Sequence, residues 1–346
     1  MFEAFSSFIG DQGVLVLLVS AAAALFILTR AADYAVDGAV KLARAAHVPP
    51  AVIGATVVSI GTTLPEVAVS VVAAAEGDSA LAVGNATGSI VANIGLIAGV
   101  LLVASRRRVH GRLVLPSAVV ALGTMLVLAG VVFATAILGG HGPGAVARVP
   151  RVVGIVLVVL LPVYLYLSFR KADYTPRDPA AGPRTEGAVA PGRDVRSIVL
   201  ALLKVIAGTS LVVIASRVLL PVVVELSRRA GLPESFIAAT LVAIGTSLPE
   251  LSTSVMAARK GELELGLGNV AGANIMNVLL VVGLSAVISA DGLSVDRYLL
   301  TQVVPAALVL SGVLAGFLVS GRGGRVVGGL LLISYAAVIA LGVTVS

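Results

Sequence analysis

Two hydroxyls, a proline and a carboxylate stand together at Gly61-Thr62-Thr63-Leu64-Pro65-Glu66, inside an otherwise apolar segment. Proline has no N–H, so the carbonyl of Gly61, four residues back, loses its helical partner. Thr62 and Thr63 precede Glu66 by four and three positions and share its face on a helix. Two kinds of chemistry suit this arrangement. One is a proline kink whose glutamate is salt-bridged to a neighbouring helix; the other is half of an oxygen-lined cation site. Adding 184 to each position lands on Gly245-Thr246-Ser247-Leu248-Pro249-Glu250. The same offset carries Gly84-Asn85-Ala86-Thr87-Gly88-Ser89-Ile90-Val91-Ala92-Asn93 onto Gly268-Asn269-Val270-Ala271-Gly272-Ala273-Asn274-Ile275-Met276-Asn277, and it holds without a gap over about fifty residues. The chain is a duplication.

The elements that must position these residues are membrane spans. Of 346 residues, 58% are hydrophobic and only 12% charged, against about 25% charged in a soluble domain; the mean hydropathy is +1.07. At about 20 residues per span, the apolar runs predict ten helices: 12–43, 49–75, 79–104, 112–138, 149–170, 196–229, 233–259, 262–289, 297–320 and 324–344. The expected fold is all-α, with residues 1–170 and 196–346 as two five-helix repeats and 171–195 as a flexible cytoplasmic linker rich in Pro, Gly, Ala and Arg. No cleavable signal peptide is expected, because the first apolar run, from Val14, outlasts an h-region. Sixteen Lys and Arg fall on one side of this arrangement and five on the other. The positive-inside rule then places both termini outside a plasma or inner membrane. The net charge of +6 is spread over short loops between spans, which does not describe a nucleic-acid surface. The absence of cysteine excludes disulfides and thiolate metal sites.

Five spans is an odd number, so the second half enters the membrane from the opposite side. In such inverted repeats two discontinuous helices, here the second and seventh spans, meet near the midplane. Glu66 and Glu250 then approach one another, and a like-charge pair in low dielectric needs a cation or a proton. No Lys or Arg lies inside the second, third, seventh or eighth spans except at their ends, so a bound cation is the favoured partner. On the following spans Asn85, Ser89 and Asn93 form a polar stripe, repeated as Asn269, Ala273 and Asn277. Asn93 and Asn277 face the glutamates, whereas Asn85 and Asn269 suit interhelical hydrogen bonds. The ligand inventory is all oxygen, which hard cations prefer; two carboxylates match Ca²⁺, and Mg²⁺ sheds its water less readily. Na⁺ would accept the same oxygens and protons could occupy the glutamates. A single site unable to hold two ions at once is the physical basis of exchange.

The two motif pairs, 61–66 with 84–93 and 245–250 with 268–277, resemble the signatures of the sodium/calcium exchanger family within the Ca²⁺:cation antiporter superfamily. That resemblance implies a prokaryotic-type antiporter exporting Ca²⁺ against Na⁺ by alternating access, with the long first and sixth helices sliding against a core. It assigns Ca²⁺ to Glu66, Glu250, Thr62 and Thr246, and sodium sites to Ser59, Ser89, Ala243 and Ser247. Thr63 joins the cation-binding set, and Asn93 and Asn277 occupy the family's central amide or carboxylate positions. Three residues depart from the pattern. Ile90 replaces an Asn of the signature, Ala273 replaces a serine that serves a sodium site, and Asn277 replaces an Asp found in potassium-dependent members. The linker is too short for the Ca²⁺-sensing insert of animal members. Ala273 and the titratable glutamates keep H⁺/Ca²⁺ antiport open as an alternative; a channel or a Ca²⁺-binding membrane protein is the rival of a different class. No enzyme chemistry is expected, since no nucleophile–base pair lies in the spans, and no cofactor is called for. The expected partners are the lipid bilayer and the transported Ca²⁺ and Na⁺, with no protein partner evident. Asp33 and Asp37 are expected at the interface beside Arg30.

Overall fold

The computed structural model describes residues 12–105, 111–139, 147–172, 195–229, 245, 247–321 and 324–345. Ala243, Thr246 and most of the expected linker lie outside the described residues, as does most of the first part of the expected seventh span. The helices are α1 (Val14–Ala46), α2 (Pro50–Thr62), α3 (Leu64–Ala75), α4 (Ser79–Ala104), α5 (Gly111–Leu138) and α6 (Arg151–Ala172). They continue as α7 (Val195–Arg229), α8 (Leu248–Arg259), α9 (Leu263–Ile288), α10 (Leu299–Ser320) and α11 (Gly324–Val345). Among the described residues eight helices are long and apolar enough to cross a bilayer, and the pair α2–α3, bent by 46°, makes a ninth span if counted as one. Residues 171–172 and 195, expected in the linker, are helical.

Among the described residues a two-stranded pairing departs from the all-α expectation. Ala147–Val149 (β1) pairs antiparallel with Leu293–Val295 (β2). The fifth expected span begins at residue 149, but Pro150 cannot donate a helical N–H and its carbonyl instead accepts from Gly154 at 3.1 Å. The helix therefore starts at Arg151, and Val149 is left to pair with Leu293.

Burial sorts the helices into centre and periphery. In α4 and α9, 78% of the most apolar stretch is buried, against 17% in α6 and α11 and 22% in α1. Both central helices are mainly apolar and small, as largely buried helices should be, and their polar residues are gathered in the asparagine stripes. Close approach depends on glycine. A Cβ on Gly268 would lie 2.3 Å from the Ala51 carbonyl oxygen, and one on Gly272 would lie 2.5 Å from Ala55 Cα. α9 thus docks on α2 backbone to backbone, the small-xxx-small packing of membrane helices.

The long helices α1 and α7 lie antiparallel. Gly38 meets the Val205 backbone, Gly208 meets Ala35, and Leu17 packs near Val222. α1 ends where His47 turns left-handed, at φ 59°, and donates its N–H back to Arg44. Prolines 49 and 50 then start α2.

Candidate functional site

Proline sets the break. Pro65 and Pro249 sit in the first turn of α3 and α8, where a missing N–H costs nothing. The residues just before the two helices, Thr63 at φ −81°, ψ −2° and Ser247 at φ −90°, ψ 10°, adopt nearly the same geometry at the edge of the helical region. Glu66 and Glu250 therefore fall in the first turn of a new helix, where the helix dipole favours negative charge.

The duplicated backbone holds well beyond the break. Under the same offset α3 maps onto α8 and α4 onto α9, residue for residue. The π-helical segments Asn93–Ala98 and Asn277–Val282 also coincide. A π turn shifts the hydrogen-bond register by one residue and re-aims the side chain at its start. In both halves that side chain is an asparagine amide.

Both carboxylates are deeply buried, Glu66 and Glu250 being 1% exposed each. Glu66 lies within electrostatic range of Glu250. The two halves interlock around them. Thr63 Oγ1 donates to Glu250 Oε1 at 3.4 Å, Thr62 Oγ1 donates to Asn269 Oδ1 at 3.4 Å, and Asn93 Nδ2 donates to Asn274 Oδ1 at 3.1 Å. Each bond runs from the first copy to the second. Six of the expected residues keep a buried polar atom with no partner: Glu66 Oε2, Ser89 Oγ, Asn93 Oδ1, Ser247 Oγ, Glu250 Oε2 and Asn277 Oδ1. Buried polar atoms are nearly always paired, and removing a charge from water costs several kcal/mol unless it is compensated. Seven described helical hydroxyls outside this set, on Thr29, Thr56, Thr87, Ser168, Thr253, Thr301 and Ser311, satisfy themselves on the carbonyl four residues back. The hydroxyls of Ser89 and Ser247 do not.

Two other expected positions behave differently. Ser59 is buried but bonds the Thr56 carbonyl at 3.1 Å, and Ala273, fully buried, brings no hydroxyl. Among the described residues no group of three or more His, Cys, Asp and Glu forms, so the local anionic charge comes from the two glutamates.

Asn85 and Asn269 brace the broken helices. Asn85 Nδ2 donates to the Glu66 carbonyl at 3.3 Å and to Ser70 Oγ at 2.9 Å; Asn269 Nδ2 donates to Thr253 Oγ1 at 3.2 Å and Ser254 Oγ at 3.1 Å. The Ala55 carbonyl, in the π segment of α2, is capped by Tyr164 Oη of α6 at 2.9 Å.

Asp33 and Asp37 lie apart from the glutamate site and find a partner other than Arg30. They pair with Lys260, in the turn after α8, and Asp37 also meets Lys204 of α7 at 3.4 Å. Arg30 lies over the Phe26 ring instead. The reading also passed over two buried residues. Asn274 was visible as the unmatched partner of Ile90. Thr209 of α7 carries an unpartnered hydroxyl beside Gly61, and no spacing signal marked it.

Comparison with known proteins places this architecture. The family model described as sodium/calcium exchanger protein matches residues 16–170 and 200–343. Inner membrane protein YrbG of Escherichia coli is 34% identical over 268 residues, covering 77% of this chain and 78% of that protein. The sodium/calcium exchanger MaX1 of Methanosarcina acetivorans is 29% identical over 324 residues, covering 86% and 89%. The structure of the sodium-calcium exchanger NCX_Mj soaked with 10 mM Na⁺ and zero Ca²⁺ superposes with a TM-score of 0.75 at 27% identity, covering 95% of this chain and 99% of that one. The chain is an integral membrane protein and belongs to the sodium/calcium exchanger family.

Proposed function

We propose that the protein is a secondary antiporter that exchanges Ca²⁺ for Na⁺ at one site shared by its two copies. The observation carrying this reading is the set of six unpartnered buried oxygens, contributed by both copies, around Glu66 and Glu250. A cluster of oxygens of that kind suits a hard cation, which takes about six to eight oxygens when it is Ca²⁺. Two carboxylates neutralise one divalent ion or, alternatively, two of the charges of several sodium ions. Because each cargo needs the same glutamates, Ca²⁺ and Na⁺ displace one another and exchange follows.

Ca²⁺ in this reading is held by Glu66, Glu250, Thr62 and Thr246. Ser59, Ser89, Ala243 and Ser247 serve sodium, with Thr63, Asn93 and Asn277 completing the lining. The arrangement we propose has ten spans in two inverted five-helix halves, joined by a cytoplasmic linker, with both termini outside. Alternating access would come from α1 and α7 moving as a unit against the core. The glycine-lined backbone contacts of α1 with α7 favour a pair that travels together.

The test is uptake of radiolabelled Ca²⁺ into proteoliposomes, comparing an outward Na⁺ gradient with a matched pH gradient. Sodium-driven uptake is expected. Uptake driven by pH alone, with no sodium effect, would replace this reading with H⁺/Ca²⁺ antiport. The observation favouring that second reading is Ala273, which removes a hydroxyl from the second copy where the first has Ser89.

A further inference from the structure

We infer that Asn274 is a positioning residue that turns the Asn93 amide so that its oxygen, rather than its NH₂ group, faces the transported cation. The inference rests on the shared-site reading above. A primary amide has two faces of opposite character: the carbonyl oxygen attracts a cation, and the NH₂ group repels it. The two ends are nearly the same size, so packing alone does not choose between them. A neighbouring acceptor does. Asn274 presents Oδ1 to Asn93 Nδ2 at 3.1 Å, and both side chains are buried, at 3% and 1% exposure. With its NH₂ end on Asn274 Oδ1, Asn93 keeps Oδ1 unpartnered, and Asn274 in turn keeps Nδ2 unpartnered.

The bond crosses from one copy of the duplication to the other, and the reverse bond has no counterpart. Subtracting the offset from Asn274 leads to Ile90, which has no acceptor to offer Asn277. The π segments place Asn93 and Asn277 alike, so the copies differ in how firmly the amide is oriented rather than in where it sits. A substitution that is a packing change on its own thus acquires a consequence: one central amide is fixed as an oxygen ligand and the other is not.

The experiment is a double-mutant cycle between Asn274→Leu and Asn93→Asp, with Asn274→Met replacing the leucine variant should that one aggregate. A carboxylate has two equivalent oxygens and no N–H, so it needs no orienting partner. Each purified variant is assayed for Ca²⁺ binding by calorimetry and, separately, for exchange in proteoliposomes. Asn274→Leu is expected to weaken Ca²⁺ binding about ten-fold beside Asn93 and less than two-fold beside Asn93→Asp. Equal losses in both backgrounds would make Asn274 a packing residue and overturn the inference, as would no loss in either. Binding without exchange in the unsubstituted protein would instead overturn the antiport reading, leaving the cycle still measurable.

Discussion

The two copies of the duplicated segment share a backbone and differ in their side chains. α3 and α8 begin at the same offset, break at residues of nearly equal φ and ψ, and turn at Gly77 and Gly261 with φ of 86° and 80°. Against that, Thr63 corresponds to Ser247, Ser89 to Ala273, and Ile90 to Asn274. Symmetry is kept where geometry is set, at prolines, turn glycines and π segments. It is relaxed at the oxygens. The backbone thus presents the two buried carboxylates at equivalent positions, while their neutral neighbours differ: Thr63 donates to Glu250 Oε1, whereas Glu66 Oε2 is left without a partner.

The largest test of that equivalence is at the glutamates. Glu66→Gln and Glu250→Gln are each expected to lower exchange at least about a hundred-fold, because either change leaves a divalent ion facing one buried carboxylate. Both variants should remain monodisperse in detergent, since glutamine keeps the volume. A large loss in one and near-normal exchange in the other would show that the copies are not equivalent at the centre.

A smaller effect is expected where the copies already differ. Ala273→Ser restores the missing hydroxyl and should lower the half-saturating Na⁺ concentration several-fold. Ser89→Ala removes its counterpart and should raise it by a similar factor. Ca²⁺ affinity, dominated by charge, should move less in both. Sodium titration of Ca²⁺ uptake reads the two directions; a shift of the same sign in both variants would break the assignment of these positions to sodium.

The braces should separate the copies further. Asn269 makes two bonds to α8 and accepts a third from Thr62, whereas Asn85 makes two. Hydrogen bonds between membrane helices average about 0.6 kcal/mol each, so Asn269→Leu should destabilise the protein by about 2 kcal/mol and Asn85→Leu by about 1 kcal/mol. Thermal unfolding in detergent measures both, and the reverse order would contradict the geometry.

Much of this architecture was legible in the sequence because the strongest signals are local. Long apolar runs specify helices, Pro65 and Pro249 specify breaks, and a constant offset specifies repetition. What escaped lies between segments. The π turns have no composition signature, so nothing foretold that Asn93 and Asn277 would each open one. The bond from Asn93 to Asn274 joins residues 181 apart, and only the docking of α9 among the other helices creates it. The β1–β2 pair likewise depends on two loops meeting. Asp33 and Asp37 were placed at the interface beside Arg30, but their partner, in the turn after α8, is distant in sequence.

That turn supplies the smallest expected effect and a control on the rest. Lys260 bonds Asp33 Oδ1 at 2.6 Å and also Asp37, linking the core to α1, while Lys204 ties Asp37 to α7 at 3.4 Å. These groups are only partly covered, which limits each pair's worth. Burial alone would lower the Lys260 pKa, but the hydrogen bonds and charges of Asp33 and Asp37 outweigh it and hold the ammonium above its ordinary value. A raised pKa means that the stabilisation Lys260 gains is fully present below the ordinary lysine value, about 10.4, and is lost only as pH climbs past the folded value. Lys260→Ala should therefore change exchange less than two-fold, by an amount that shrinks at high salt and stays constant from pH 6 to 9 (about the range in which lysine remains charged). Uptake measured across that range, with and without the substitution, checks the constancy. A strong pH dependence in the unsubstituted protein that survives Lys260→Ala would then point away from this cluster and towards the two glutamates, the outcome that would favour protons as the counter-ion.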